Sequence, residues 1–185
     1  MVTAAVSPKA TATNECPSGR APHVSAPAEI VLADLDEPGH QAAIVALTQM
    51  YACDAMGQAA PLPGSTLDRL IPGLKRHPTT LVWLAFFEGQ SVGIATCFLG
   101  FSTFFAKPLI NVHDVAVVPH LRGRGIGRQL LGAVVDKARA LGCCKVTLEV
   151  HENNTHARRV YESLGFAQAV YTDAAGGGLF YSKPL

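Results

Sequence analysis

The chain predicts an α/β fold, with a mixed, mostly antiparallel central sheet, helices on both faces and a parallel strand–helix–strand crossover. Three observations predict it. From residue 28 onward, short β-branched apolar runs alternate with stretches of helical period. A hairpin signal, Glu88-Gly89-Gln90, joins two of the runs. Finally, Arg122-Gly123-Arg124-Gly125-Ile126-Gly127-Arg128 stands where an apolar stretch ends and a helical pattern begins, as in a turn that feeds a strand into a helix.

Taken in order, Ile30 to Leu35 reads as a short strand. Gln41 to Cys53 places Ile44, Val45, Leu47 and Tyr51 on one helical face. A Pro/Gly-rich link, Gly57 to Gly64, precedes a helix over Ser65–Lys75, with Ser65 or Thr66 as N-cap. Thr79–Glu88 and Ser91–Phe101 are the hairpin strands. Leu109–Val118 is the third antiparallel run and ends at Pro119, which has no N–H for further pairing. The next helix spans Gly125 to Leu141, with Ile126, Leu130, Val134, Ala138 and Leu141 as its buried stripe and Gly142 as its stop. Lys145–His151 is the strand that closes the crossover. Asn154 or Thr155 then caps a helix ending at Leu164-Gly165, and strands near Phe166–Thr172 and Leu179–Lys183 finish the chain.

Composition narrows the function. Of 185 residues 49% are apolar, enough for one core, and residues 28–185 form a single domain behind a disordered tail at 1–27 that lacks a hydrophobic period. No segment approaches the roughly 18 uninterrupted apolar residues of a membrane span. A formal charge of +1 predicts neither nucleic-acid wrapping nor adhesion to anionic lipid. The five cysteines form no Cys-x-x-Cys pair and no zinc spacing with the histidines, so they read as free thiols of a cytoplasmic protein with no metal site.

The arginine-glycine turn concentrates the local charge. A helix N-terminus entered through alternating glycines points several free amides, and the positive end of the helix dipole, at one spot. With Arg122, Arg124 and Arg128 beside Gly123, Gly125 and Gly127, that spot suits a polyphosphate, while a flexible loop with solvated arginines is the bland alternative. The turn lacks the Gly-Lys-Ser/Thr ending of a nucleotide P-loop and the third glycine of a dinucleotide site.

Two segments carry a resemblance. Val115 to Gly127 contains Arg-x-x-Gly-x-Gly, and Asn154 to Phe166 reads Asn-x-x-Ala-x-x-x-Tyr-x-x-x-Gly-Phe. Together they resemble the GNAT superfamily of acetyl-CoA-dependent N-acetyltransferases over residues 28–185. Phe101-Ser102-Thr103-Phe104, Lys107-Pro108-Leu109 and His113-Asp114 look like the branch of diamine and spermidine/spermine acetyltransferases, which usually carry Glu-Asp where this chain has His113-Asp114.

The resemblance implies acetyl-CoA as cofactor, with its pyrophosphate on the amides from Gly123 through Gly125, Ile126 and Gly127 to Arg128. Arg122, Arg124 and Arg128 would add charge-assisted contacts. It implies that the backbone around Val115 and Val117 pairs with the pantetheine arm like an added strand, and that Asn154 also contacts the cofactor. It places Tyr161 at the sulfur end, to protonate the departing thiolate; the residues alone would also allow a core tyrosine. His113, in the family's acidic pair, is the base or else a histidine bonded to a loop carbonyl. Asp114 attracts a cationic substrate, and alternation along a strand sends the two side chains to opposite faces. Glu149 and His151, on one side of the following strand, line the acceptor pocket or a solvated face. Phe101, Phe104 and Phe105 are core or pocket wall. The expected activity is transfer of acetyl to a primary amine of a small molecule (a diamine, polyamine or amino acid derivative) in a ternary complex. A protein or aminoglycoside amine, or a non-catalytic CoA-binding regulator, are the alternatives, and the family likeness allows a homodimer.

Overall fold

The computed structural model describes residues 27–169 and Lys183. In chain order it shows strand β1 (Glu29–Leu32), helices α1 (Pro38–Ala52) and α2 (Gly64–Arg76), and strands β2 (Thr80–Phe87), β3 (Gln90–Ser102) and β4 (Lys107–Val117). A single 3₁₀ turn (Pro119–Leu121), helix α3 (Ile126–Ala140), strand β5 (Val146–Leu148) and helix α4 (Thr155–Glu162) follow. The expected tail lies, up to residue 26, outside the described residues, and so does the stretch 170–182 that holds most of the last two expected strands. Among the described residues no helix is long and apolar enough to cross a membrane.

The boundaries move for local reasons. Helix α1 starts earlier than its apolar period because the Glu37 carboxylate accepts from the Gly39 and His40 amides while Pro38 opens the first turn. Helix α2 begins at Gly64 behind Pro63 without any side-chain cap, so Ser65 and Thr66 do not cap it. In α3 the stripe is Ile126, Leu130, Leu131, Val134 and Ala138; Leu141 is instead the C-cap and 40% exposed. Strand β5 stops at Leu148, which leaves Glu149 and His151 exposed beyond it rather than on a strand face.

The sheet order is β1-β2-β3-β4-β5. The first three pairings are antiparallel, and β4–β5 is parallel across the α3 crossover, as the sequence predicts. On one face Trp83, Ala95, Cys97, Ile110 and Val112 pack under Leu130, Leu131 and Val134 of α3. On the other, Val82, Leu84 and Ile94 meet Ile44 and Leu47 of α1 and Leu74 of α2. Burying a Leu or Ile side chain contributes about 1.5–3 kcal/mol, so the two layers hold the strands from both sides.

Two irregularities mark β4. Thr96 pairs with Asp114 while its neighbour Cys97 pairs with Val112, so His113 is the extra residue of a β-bulge in β4. Strand β5 reaches only Ile110–Val112. From residue 113 on, the β5-side edge of β4 therefore has no strand beside it among the described residues.

Candidate active site

The turn between β4 and α3 leaves a run of backbone amides facing open space. Gly123 and Gly125 have φ of 77° and 83°, a left-handed conformation that glycine adopts without a Cβ penalty. A Cβ built on either would meet nothing within 4 Å, so the space over the turn is open. Gly125 is the N-cap of α3 and offers no side-chain cap. Among the described residues no amide from 123 to 128 donates to a protein acceptor. Successive free N–H groups at the positive end of a 15-residue helix form an anion cradle.

The three arginines do different things. Arg124 is exposed beside the cradle. Arg128 donates from Nη2 to Ser163 Oγ at 2.6 Å, and Ser163 in turn donates to the Val160 carbonyl, which ties the first turn of α3 to the end of α4. Arg122 donates from Nε to the Val117 carbonyl at 2.9 Å and from Nη2 to Asp54 Oδ2 at 2.6 Å. Val118 N–H bonds Val92 on β3, so the planar trans peptide turns the Val117 carbonyl toward the free edge of β4.

Across the sheet, the bulge removes the strict alternation expected at His113 and Asp114. The His113 ring meets Phe98 edge-on, centroids 5.8 Å apart, and Phe98 packs on the α1/α2 face. Asp114 stands opposite Thr96, which by strand alternation lines up with Ile94 and Phe98 of that same face. The neighbours thus serve one side, not two. Burial pushes the Asp114 carboxyl above its ordinary range, with His113 pulling partly back. Burial, with Asp114 adding, also pushes the Cys97 thiol up to about 12.

Tyr161 packs against the α3-side core, ring to ring with Phe166. Burial, followed by the nearby Tyr51, lifts its phenol to about 12. Tyr51 is itself raised, by burial first and then by Asp114 and Asp54. Tyr51 thus feels the charge of Asp114 and in turn adds to the shift of Tyr161. Sequence reading placed Tyr51 only on the apolar face of α1 and gave Asp54 no part. Their one local signal is the turn Asp54-Ala55-Met56-Gly57 directly after the helix.

The remaining candidates divide. Asn154 caps α4, its Oδ1 accepting from Ala157 N at 3.1 Å. Val115 and Val117 pack their side chains into the α3-side core, which leaves their backbone at the splayed edge. Phe101, Phe104 and Phe105 are 64%, 86% and 61% exposed around the tip of the β3–β4 hairpin, so none of them is core. Cys53, Cys97, Cys143 and Cys144 are free thiols.

Residues 44–166 match the family model described as Acetyltransferase (GNAT) family. The chain belongs to that family, the acetyl-CoA-dependent N-acetyltransferases. It is 29% identical over 127 residues to the uncharacterized N-acetyltransferase YhfO of Bacillus subtilis (strain 168), covering 69% of this chain and 83% of that one. Over 59 residues it is 41% identical to the [ribosomal protein bS18]-alanine N-acetyltransferase of Salmonella typhimurium; the match covers 32% of this chain and 40% of that relative. The fold superposes with a TM-score of 0.66 on AAC(6')-Iy solved with the bisubstrate analogue CoA-S-monomethyl-acetylneamine, at 18% identity, covering 86% and 100% of the two chains.

Proposed function

We propose that this protein transfers acetyl from acetyl-CoA to a primary amine of a small molecule, within the range of diamines, polyamines and amino acid derivatives. The row of six amides at residues 123–128, unpartnered among the described residues and beside two glycines of open, left-handed conformation, carries the reading. Those amides with Arg124 and Arg128 hold the pyrophosphate, the free edge of β4 around Val115 and Val117 takes the amide-bearing arm, and Asn154 contacts it from the mouth of α4. The cofactor supplies a thioester acyl group and a thiolate that needs a proton.

The chain's own groups provide the rest. Tyr161 keeps its proton on Oη throughout the neutral range, because burial favours the neutral phenol, and so has it to deliver. The amine must lose a proton to attack. His113, exposed above the bulge with its ring edge-on to Phe98, accepts it, and Asp114 beside it attracts the cationic amine. Backbone amides at the free edge of β4 stabilise the oxyanion.

Coenzyme A release tests this across putrescine, spermidine, amino acid amides, aminoglycosides and an alanine-initiated peptide, with binding of coenzyme A measured separately by calorimetry. Release with small amines is the expected result. Release confined to the peptide would transfer the acceptor to a protein, and calorimetric silence would end the acetyltransferase reading.

A further inference from the structure

We propose that the Asp54–Arg122 ion pair is a brace through which the cofactor turn holds the α1–α2 loop over the reacting centre, making both residues positioning residues. The inference rests on the acetyltransferase reading of the site. It starts from one guanidinium that joins three segments. Its Nη2 meets Asp54 Oδ2 at 2.6 Å, 68 residues away in sequence, while Nε holds the last carbonyl of β4, and Arg122 itself opens the turn. The pair is half-shielded, with side-chain exposures of 41% for Arg122 and 16% for Asp54.

The loop that the pair holds is stiff. Asp54 Oδ1 accepts from Met56 N at 2.8 Å, and the Asp54 carbonyl accepts from Gly57 N and Ala59 N. Gln58 N and Ala60 N both donate to the Ala52 carbonyl, and Leu62 N to Gln49 Oε1, which folds the loop back onto the end of α1. Gly57 lies so close that a Cβ there would stand 2.2 Å from the Tyr51 carbonyl oxygen. Loop and Tyr51 therefore move as one piece. Tyr51 packs against the α1/α2-side cluster that includes Ala116 of β4, two residues past Asp114, and the charge of Asp114 helps to raise its phenol.

Geometry separates this role from a phosphate contact. A guanidinium already engaged along its Nε–Nη2 edge has a fixed plane. Ordering of the turn around a bound anion fixes Arg122, Arg122 fixes Asp54, and Asp54 fixes the loop that carries Tyr51. The side that binds the donor thereby sets the side that receives the amine.

The test compares Asp54→Asn, Arg122→Gln, Arg122→Lys and the Asp54→Asn/Arg122→Gln double variant. Coenzyme A binding is measured by calorimetry, amide exchange of residues 53–62 with and without coenzyme A, and turnover with the best amine of the panel. In the wild type coenzyme A should slow exchange in the loop. In each single variant it should no longer do so, although its own affinity stays within about threefold. Turnover should fall about tenfold in either single variant and no further in the double, the non-additivity of a coupled pair. Arg122→Lys, which keeps the charge but not the planar fork, should fail like Arg122→Gln. Additive losses, a loop protected by coenzyme A in the variants, or a loss of affinity confined to the Arg122 variants would overturn the brace, the last making Arg122 a phosphate ligand. Because loop exchange needs no acceptor, it decides the brace even if no amine of the panel is acetylated.

Discussion

At Tyr161 burial decides which form of the phenol is present. Its phenol is lifted to about 12 chiefly by desolvation, so the proton stays on Oη through the whole working range. Replacing it by Phe should lower kcat about 100-fold with the coenzyme A affinity nearly unchanged, a split that steady-state kinetics with calorimetry reads directly. Equal losses in both would return Tyr161 to the core. Asp114 follows the same rule with a different outcome for stability. Its folded value is raised above the ordinary 3.8, so its contribution to stability is complete below that pH and is lost as pH rises through the raised value. At neutral pH the half-buried carboxylate costs stability. Asp114→Asn should therefore raise Tm at pH 7 while lowering turnover, and a thermal melt showing a lower Tm would contradict it.

At the scale of elements, legibility follows the range of the interactions. The glycine turn, the Asn154 cap and most of the α3 stripe are local, formed by residues contiguous or one helical turn apart, so the sequence shows them, with Leu131 buried where Leu141 is expected. The shared face of His113 and Asp114 escapes because the bulge is set by registry with β3, which strand alternation cannot reveal. Tyr51 and Asp54 escape because their partners lie 60 or more residues away, at 114, 122 and 161. Two variants test the local devices. Gly125→Ala meets no steric obstacle but forces a Cβ into φ 83°, so it should cost about 1–2 kcal/mol in chemical denaturation and weaken coenzyme A binding as the amides turn away. Leu130→Ala, at a fully buried site between α3 and the sheet, should cost about 2–5 kcal/mol and leave coenzyme A affinity intact in whatever fraction remains folded.

For the molecule as a whole, the proposed chemistry uses a sheet whose last two strands part. Antiparallel pairing carries β1 through β4 as a continuous platform, and the short parallel contact at residues 110–112 then ends. Past that point the strand bearing the bulge, the Val117 carbonyl and the entry to the cradle runs on without a neighbour on one side among the described residues. Helices cover both flat faces, so the gap opens at the sheet's margin and not through the core. The same gap has a practical side. Bare backbone along a sheet margin invites a stray strand from another molecule. Purified without its donor, the protein should clump on storage, and coenzyme A in the buffer should keep it monodisperse by light scattering, whereas adenosine monophosphate, which has no amide-bearing arm to lay along that margin, should not.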